Sequence, residues 1–154
     1  MRLYPFLLVF SVFLVDQITK ILVTREIVFG SEVRVLPFLS LIFVKNFGGL
    51  FGLMNRPSSN TVFTVFPAAV CLFLTFLLLR AGSRAIRLSL SFVLGGALGN
   101  IWDRLTRGFV VDFLDLHASS FHWPAFNVAD LSITLGVCLL CYFSFIRGEG
   151  WMKN

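Results

Sequence analysis

Apolar positions along this chain neither alternate nor follow a helical stripe for most of its length; they come in long runs separated by short polar breaks. The runs cover residues 3–23, 61–79, 88–105 and 130–146. A helix rises about 1.5 Å per residue and a bilayer core is about 30 Å thick, so such runs predict an all-α membrane protein of four transmembrane helices. The loops between them, 24–60 and 106–129, leave no room for a second unit, so residues 1–154 are expected to form one membrane-embedded domain. Within the first loop the pattern changes. Residues 31–43 are rich in Val, Leu, Ile and Phe around Pro37, with partial alternation, which predicts a small extracytoplasmic β-hairpin. Residues 50–54 then predict a short interfacial helix.

The polar residues inside the runs are the informative ones. Asp16 and Lys20 stand four apart near the end of the first run, on one helical face and with the acid first, the favourable order for a pair. In lipid such a pair has to face protein or water. A structural ion pair between helices is the plainer alternative. The third run carries Gly95 and Gly99, a small-xxx-small spacing that lets another helix approach closely, followed by Asn100, Asp103 and Arg104 within about a turn. An Asp and an Arg there are also what a structural anchor at a helix end looks like. The fourth run opens on Asp130, with Asn127 three residues before it as a capping or orienting group. Between the third and fourth runs Asp112 follows an apolar triplet.

Composition supports the membrane reading and narrows the partners. The chain is 57% apolar and 14% charged, with 19 phenylalanines, and its mean hydropathy is +0.87; soluble domains average roughly 45–50% apolar residues. The net charge of +5 is scattered over segment ends and loops, not gathered into a basic run with interleaved aromatics, so membrane lipids and not nucleic acid are the expected partners. Arg80, Arg84 and Arg87 are expected in one short cytoplasmic connection. Cys71, Cys138 and Cys141 match no metal spacing and read as small buried hydrophobes. The basic, apolar N-terminus lacks a small-x-small cleavage site and continues into Asp16, so it reads as a retained span.

With both termini cytoplasmic and the spans alternating in direction, Asp16, Lys20, Asn100, Arg104, Asp130 and the loop holding Asn46 reach one level, the outer edge of the membrane. The apolar stretches 88–102 and 131–146 cover only about 22–24 Å at about 1.5 Å per residue, so their polar ends are expected to be drawn slightly into the bilayer. Independent ion pairs have no reason to share a depth. Two carboxylates held close cannot both ionise easily. One then serves as base for a water that attacks a carbonyl, and the other as acid for the carbonyl oxygen, without metal or cofactor. Asp112, Asp115 and Asp130 compete for the two roles. Asp130 adjoins a helix N-terminus, and Asp112 in VVDF has more apolar neighbours than Asp115. A helix cap for Asp130 and a loop-anchoring acceptor for Asp112 are the structural alternatives. His117 and His122 with Asp112 and Asp115 match no metal-ligand spacing.

The ordered set DQITK at 16–20, NFGGLFG at 46–52, GGALGNIWDRLTRGFVVDF at 95–113 and FNVAD at 126–130 resembles the bacterial type II, or lipoprotein, signal peptidase family. The resemblance implies a four-span aspartic endopeptidase of the bacterial cytoplasmic membrane. It removes the signal peptide from diacylglyceryl-modified prolipoproteins just before the lipidated Cys, and its active site faces outward. It further implies Asp112 and Asp130 as the catalytic pair. Asp16, Lys20, Asn46, Gly48, Asn100, Arg104, Asn127 and Ala129 would orient the pair and hold substrate. No cofactor is implied, and a monomer is expected. Leu50 is bulkier than the family's usual small residue there, and Asp115, His117 and His122 carry no role that transfers. The competing reading is a small ion- or proton-translocating protein using Asp16, Lys20 and Asp130, which requires polar groups at several depths.

Overall fold

The computed structural model describes residues 3–48, 61–148 and 151. Helix α1 is Tyr4–Glu26, and Pro5 lies in its first turn, where a missing backbone N–H costs nothing. Helix α2 is Val62–Arg80, α3 is Arg84–Arg107, and α4 is Val128–Cys141, prolonged by one π-helical turn, Tyr142–Ile146. Taken with that turn, all four are long and apolar enough to cross a membrane. The expected interfacial helix at 50–54, and Leu50 with it, lie outside the described residues.

The third span departs from expectation. Its helix starts at Arg84, so it is 24 residues long and spans about 36 Å at about 1.5 Å per residue. Ser83 caps it, its hydroxyl accepting from the backbone N–H groups of Ala85 and Ile86 at 3.0 and 3.4 Å. Arg84 and Arg87 therefore belong to the first turn of α3, and Arg80 closes α2. Buried Arg87 donates to the carbonyls of Ala81 and Gly82 and to the Tyr4 hydroxyl, tying three helix ends together. A guanidinium has enough donors to end a helix from within its neighbour. Gly108, at φ 79°, closes α3 in the left-handed conformation.

Helix α3 packs against each of the other three. Gly95 meets Val9 and Val12 of α1, and a Cβ on Gly99 would come within 2.5 Å of Asp16 Oδ2, so the small-xxx-small stripe is where α1 docks. On an adjacent face Gly96 abuts the carbonyl of Ala129, and Gly136 abuts Val93 and Ser89, which brings α4 equally close. An apolar cluster around Ile86, Leu90 and Leu94 fills the remainder with Cys71 and Leu78 of α2. Cys138 and Cys141, expected inside, lie on the exposed outer face of α4.

The predicted hairpin is part of a larger sheet. Strands β1 (Glu32–Leu36) and β2 (Leu39–Asn46) pair antiparallel, β2 pairs with β3 (Val110–Ala118), and β3 with the short β4 (Phe121–His122). Residues 106–129, expected as a loop, thus contain two strands of the sheet, one of them interior. At 110–113 both faces of β3 are covered, so the sequence there is a continuous apolar run broken by Asp112, with no visible alternation. Val111 and Phe113 pack with Val23 and Ile27, which fixes the sheet to the end of α1.

Candidate active site

The β2–β3 ladder sets Val44 opposite Asp112 and Asn46 opposite Val110, with an irregularity between Leu41 and Val44. Asn46, at the end of β2, donates through Nδ2 to Asp112 Oδ2 at 2.8 Å. Its own Oδ1 accepts the Gly48 backbone N–H at 2.9 Å, which fixes the amide's orientation. Gly48 has φ 142°, and a Cβ there would collide with the Phe63 ring, so only glycine fits this turn.

Past β4 the chain returns along β3. Leu114 and Phe126 exchange backbone hydrogen bonds at 2.8 and 3.1 Å, and this isolated bridge delivers Asn127 next to Asp112. Asn127 is fully buried and caps α4: its Oδ1 accepts from the Asp130 N–H at 3.0 Å, and Asp130 Oδ2 accepts the Asn127 N–H at 3.2 Å. Its Nδ2 donates to Asp112 Oδ1 at 2.7 Å and to Asn100 Oδ1 at 3.2 Å. Asn100 Nδ2 in turn donates to Asp130 Oδ1 at 2.8 Å. The helix-cap reading of Asp130 is therefore correct, and it coexists with a second fact: the capping residue is hydrogen-bonded to Asp112. One residue holds both carboxylates, that of Asp112 through its side-chain amide and that of Asp130 through its backbone N–H.

Asp112 is 3% exposed. Burial, and after it the nearby Asp130 charge, push its carboxyl up to about 7, against the opposing hydrogen bonds from Asn46 and Asn127. Asp115, 5% exposed, is nearly as enclosed, contrary to the sequence reading. What separates the two is company. Asp115 Oδ2 contacts His122 Nδ1 at 2.8 Å, while His117 contacts Ser40 at 3.1 Å and stacks on His122.

Behind the pair lies an ionic cluster. Lys20 Nζ, fully buried, reaches Asp16 Oδ2 at 2.8 Å, Asp103 Oδ2 at 3.0 Å and Asn100 Oδ1 at 2.9 Å. Three acceptors exhaust an ammonium's three donors. Asp16 Oδ1 accepts the Ala129 backbone N–H at 2.9 Å, which pins the first turn of α4 to α1. Arg104 lies over the Phe63 ring at 5.6 Å, close enough for its charge to act on Asp112 and Asp130. All ten site residues expected from the sequence meet here. Reasoning from the sequence missed two: Gln17, which bonds Asp16, Asp103 and the Gly99 carbonyl, and Arg107, which is the ion-pair partner of Asp103, read from the sequence only as a structural anchor. The Asp-x-x-x-Arg spacing at 103 and 107 repeats the Asp-x-x-x-Lys spacing at 16 and 20, and that signal was available.

Known proteins similar to this chain point to one family. The family model for signal peptidase (SPase) II matches residues 8–146. Lipoprotein signal peptidases of Burkholderia thailandensis and Burkholderia ambifaria are each 42% identical over 142 residues, 90% of this chain and 86% of theirs. A solved bacterial membrane enzyme superposes with TM-score 0.83 at 28% identity, covering 94% of this chain and 88% of its own. A second gives 0.82 at 28% identity, covering 92% of both. With four apolar helices, a small antiparallel sheet, two linked carboxylates and a family match over nearly the whole length, the chain belongs to the signal peptidase II family.

Proposed function

We propose that this protein is the membrane endopeptidase that removes signal peptides from diacylglyceryl-modified prolipoproteins, cleaving before the lipidated Cys, with Asp112 and Asp130 as its catalytic pair. The observation that carries the assignment is the single residue Asn127, whose side-chain Nδ2 bonds the Asp112 carboxylate and whose backbone N–H bonds that of Asp130. Asp112, with its carboxyl near 7, holds the proton, and Asp130 is the base. A water between them gives one proton to Asp130 as its oxygen bonds the scissile carbonyl carbon, while Asp112 protonates the carbonyl oxygen. The tetrahedral intermediate breaks when Asp130 passes its proton to the amine nitrogen and Asp112 recovers its own from the hydroxyl. The C–N bond is lost, and both carboxyls return to their starting state.

The molecule acts as one domain and as a monomer in the bacterial cytoplasmic membrane, with both termini cytoplasmic and the sheet and site on the outer side. There a substrate anchored by its acyl chains presents its scissile bond at the headgroup boundary. The translocation alternative fares worse. Toward the other end of α3, Ser89 and Ser91 bond to their own helix backbone and Arg87 is held by the end of α2 and Tyr4, an arrangement of structural ties and not of a proton path. The decisive experiment incubates purified protein with a diacylated precursor and maps the new N-terminus. Cleavage immediately before the modified Cys supports the assignment, and its loss in Asp112→Asn and Asp130→Asn supports the pair. Near-normal turnover by either variant rejects the pair.

A further inference from the structure

Asp103 is fully buried and touches the machinery of both carboxylates without touching either. Its Oδ2 accepts from Lys20 Nζ at 3.0 Å and also from the backbone N–H of Val111 at 3.1 Å, the residue next to Asp112. Its Oδ1 faces Gln17 Nε2 at 3.2 Å and the Arg107 guanidinium. Lys20 in turn donates to Asn100 Oδ1. An amide has one donating and one accepting end, so an ammonium against the oxygen of Asn100 forces its NH2 toward Asp130, where it is found. With the amide reversed, the NH2 group would face a cation and Asp130 would lose a donor.

We propose that Asp103 is the positioning residue common to the two halves of the pair: through Lys20 and Asn100 it orients Asp130, and through the Val111 amide it fixes the strand that carries Asp112. Two carboxylates, Asp16 and Asp103, hold the ammonium of Lys20 in a dry site, and Arg107 balances the second of them. Removing the charge of Asp103 loosens Lys20 and with it the orientation of Asn100. The assignment rests on Asp112 and Asp130 being the catalytic pair.

The test is a double-mutant cycle on full-length protein in detergent micelles with a diacylated precursor. Asp103→Asn keeps an oxygen for Val111 but loses the charge; it should lower kcat about tenfold or more and leave KM within about twofold. In an Asn100→Ala background the same change should cost less than about twofold, because the route to Asp130 is already cut. Asp103→Glu, which restores the charge and guards against a variant that fails to fold, should recover part of the lost kcat. Wild-type kcat in Asp103→Asn, additive losses in the cycle, or Asp103→Glu no better than Asp103→Asn would each overturn the proposal. Failure of the pair itself reads out separately, as turnover retained by Asp112→Asn or Asp130→Asn.

Discussion

A carboxyl held near 7 in the folded protein makes the native state less stable whenever the unfolded chain ionises it freely, and Asp112→Asn should reveal that cost. The ordinary value is 3.8 and the folded one about 7. As pH rises from 3.8, the unfolded chain releases this proton first, so stability is lost progressively until about pH 7 and is flat beyond. At about 1.4 kcal/mol per pH unit the full penalty is roughly 4 kcal/mol. The asparagine variant does not titrate. It does set an NH2 against one of the two donors, Asn46 or Asn127, a mismatch worth about 1–3 kcal/mol at every pH. The mismatch cancels in a comparison across pH, leaving the two units from about pH 5 to about pH 7, or roughly 3 kcal/mol. Thermal unfolding of wild type and variant, followed by tryptophan fluorescence in micelles, should therefore show the variant gaining about 6–12 °C relative to wild type between about pH 5 and about pH 8. A Tm difference that stays constant over that range would refute a raised carboxyl at 112.

Other consequences are open to simpler measurements. Because Asp112 works protonated, kcat/KM should fall as pH rises through about 7, and Asn46→Ala, which removes a hydrogen bond favouring the charged form, should move that limb to higher pH. Gly96→Ala puts a methyl group onto the backbone carbonyl of Ala129 and must push the first turn of α4 away; a Tm lower by several degrees and at least about tenfold less activity are expected, read by melting and gel-shift cleavage. Asp115→Asn breaks a contact to a half-exposed His122, so turnover within about threefold of wild type is expected; a dead variant would move the pairing from Asp112 to Asp115.

Within the structure, how far the sequence could be read depended on whether the cause was local. Four spans were legible because bilayer thickness demands long apolar runs whatever they pack against. A close helix contact at Gly95 and Gly99 and the pairing of Asp16 with Lys20 were legible because helical spacing alone sets them, although only the structure names α1 as the helix that docks there. The cap of α4 by Asn127 was legible for the same reason. The start of α3 was not: Arg84 and Arg87 look like loop residues until Arg87 is seen bonding the end of α2 and Tyr4.

The chain by itself determined which residues were chemically out of place in an apolar protein, and so which ones needed a partner. Only the tertiary structure decided who those partners are. Strand β3 is invisible as a strand because both of its faces are covered at Asp112, and its pairing with β2 is what brings Asn46 within 2.8 Å of that carboxylate across 66 residues of chain. The hub at Asp103 likewise joins α1, α3 and β3. Burial makes each of these polar contacts costly to leave unmade, yet burial depends on every element at once, and no stretch of sequence carries that information alone.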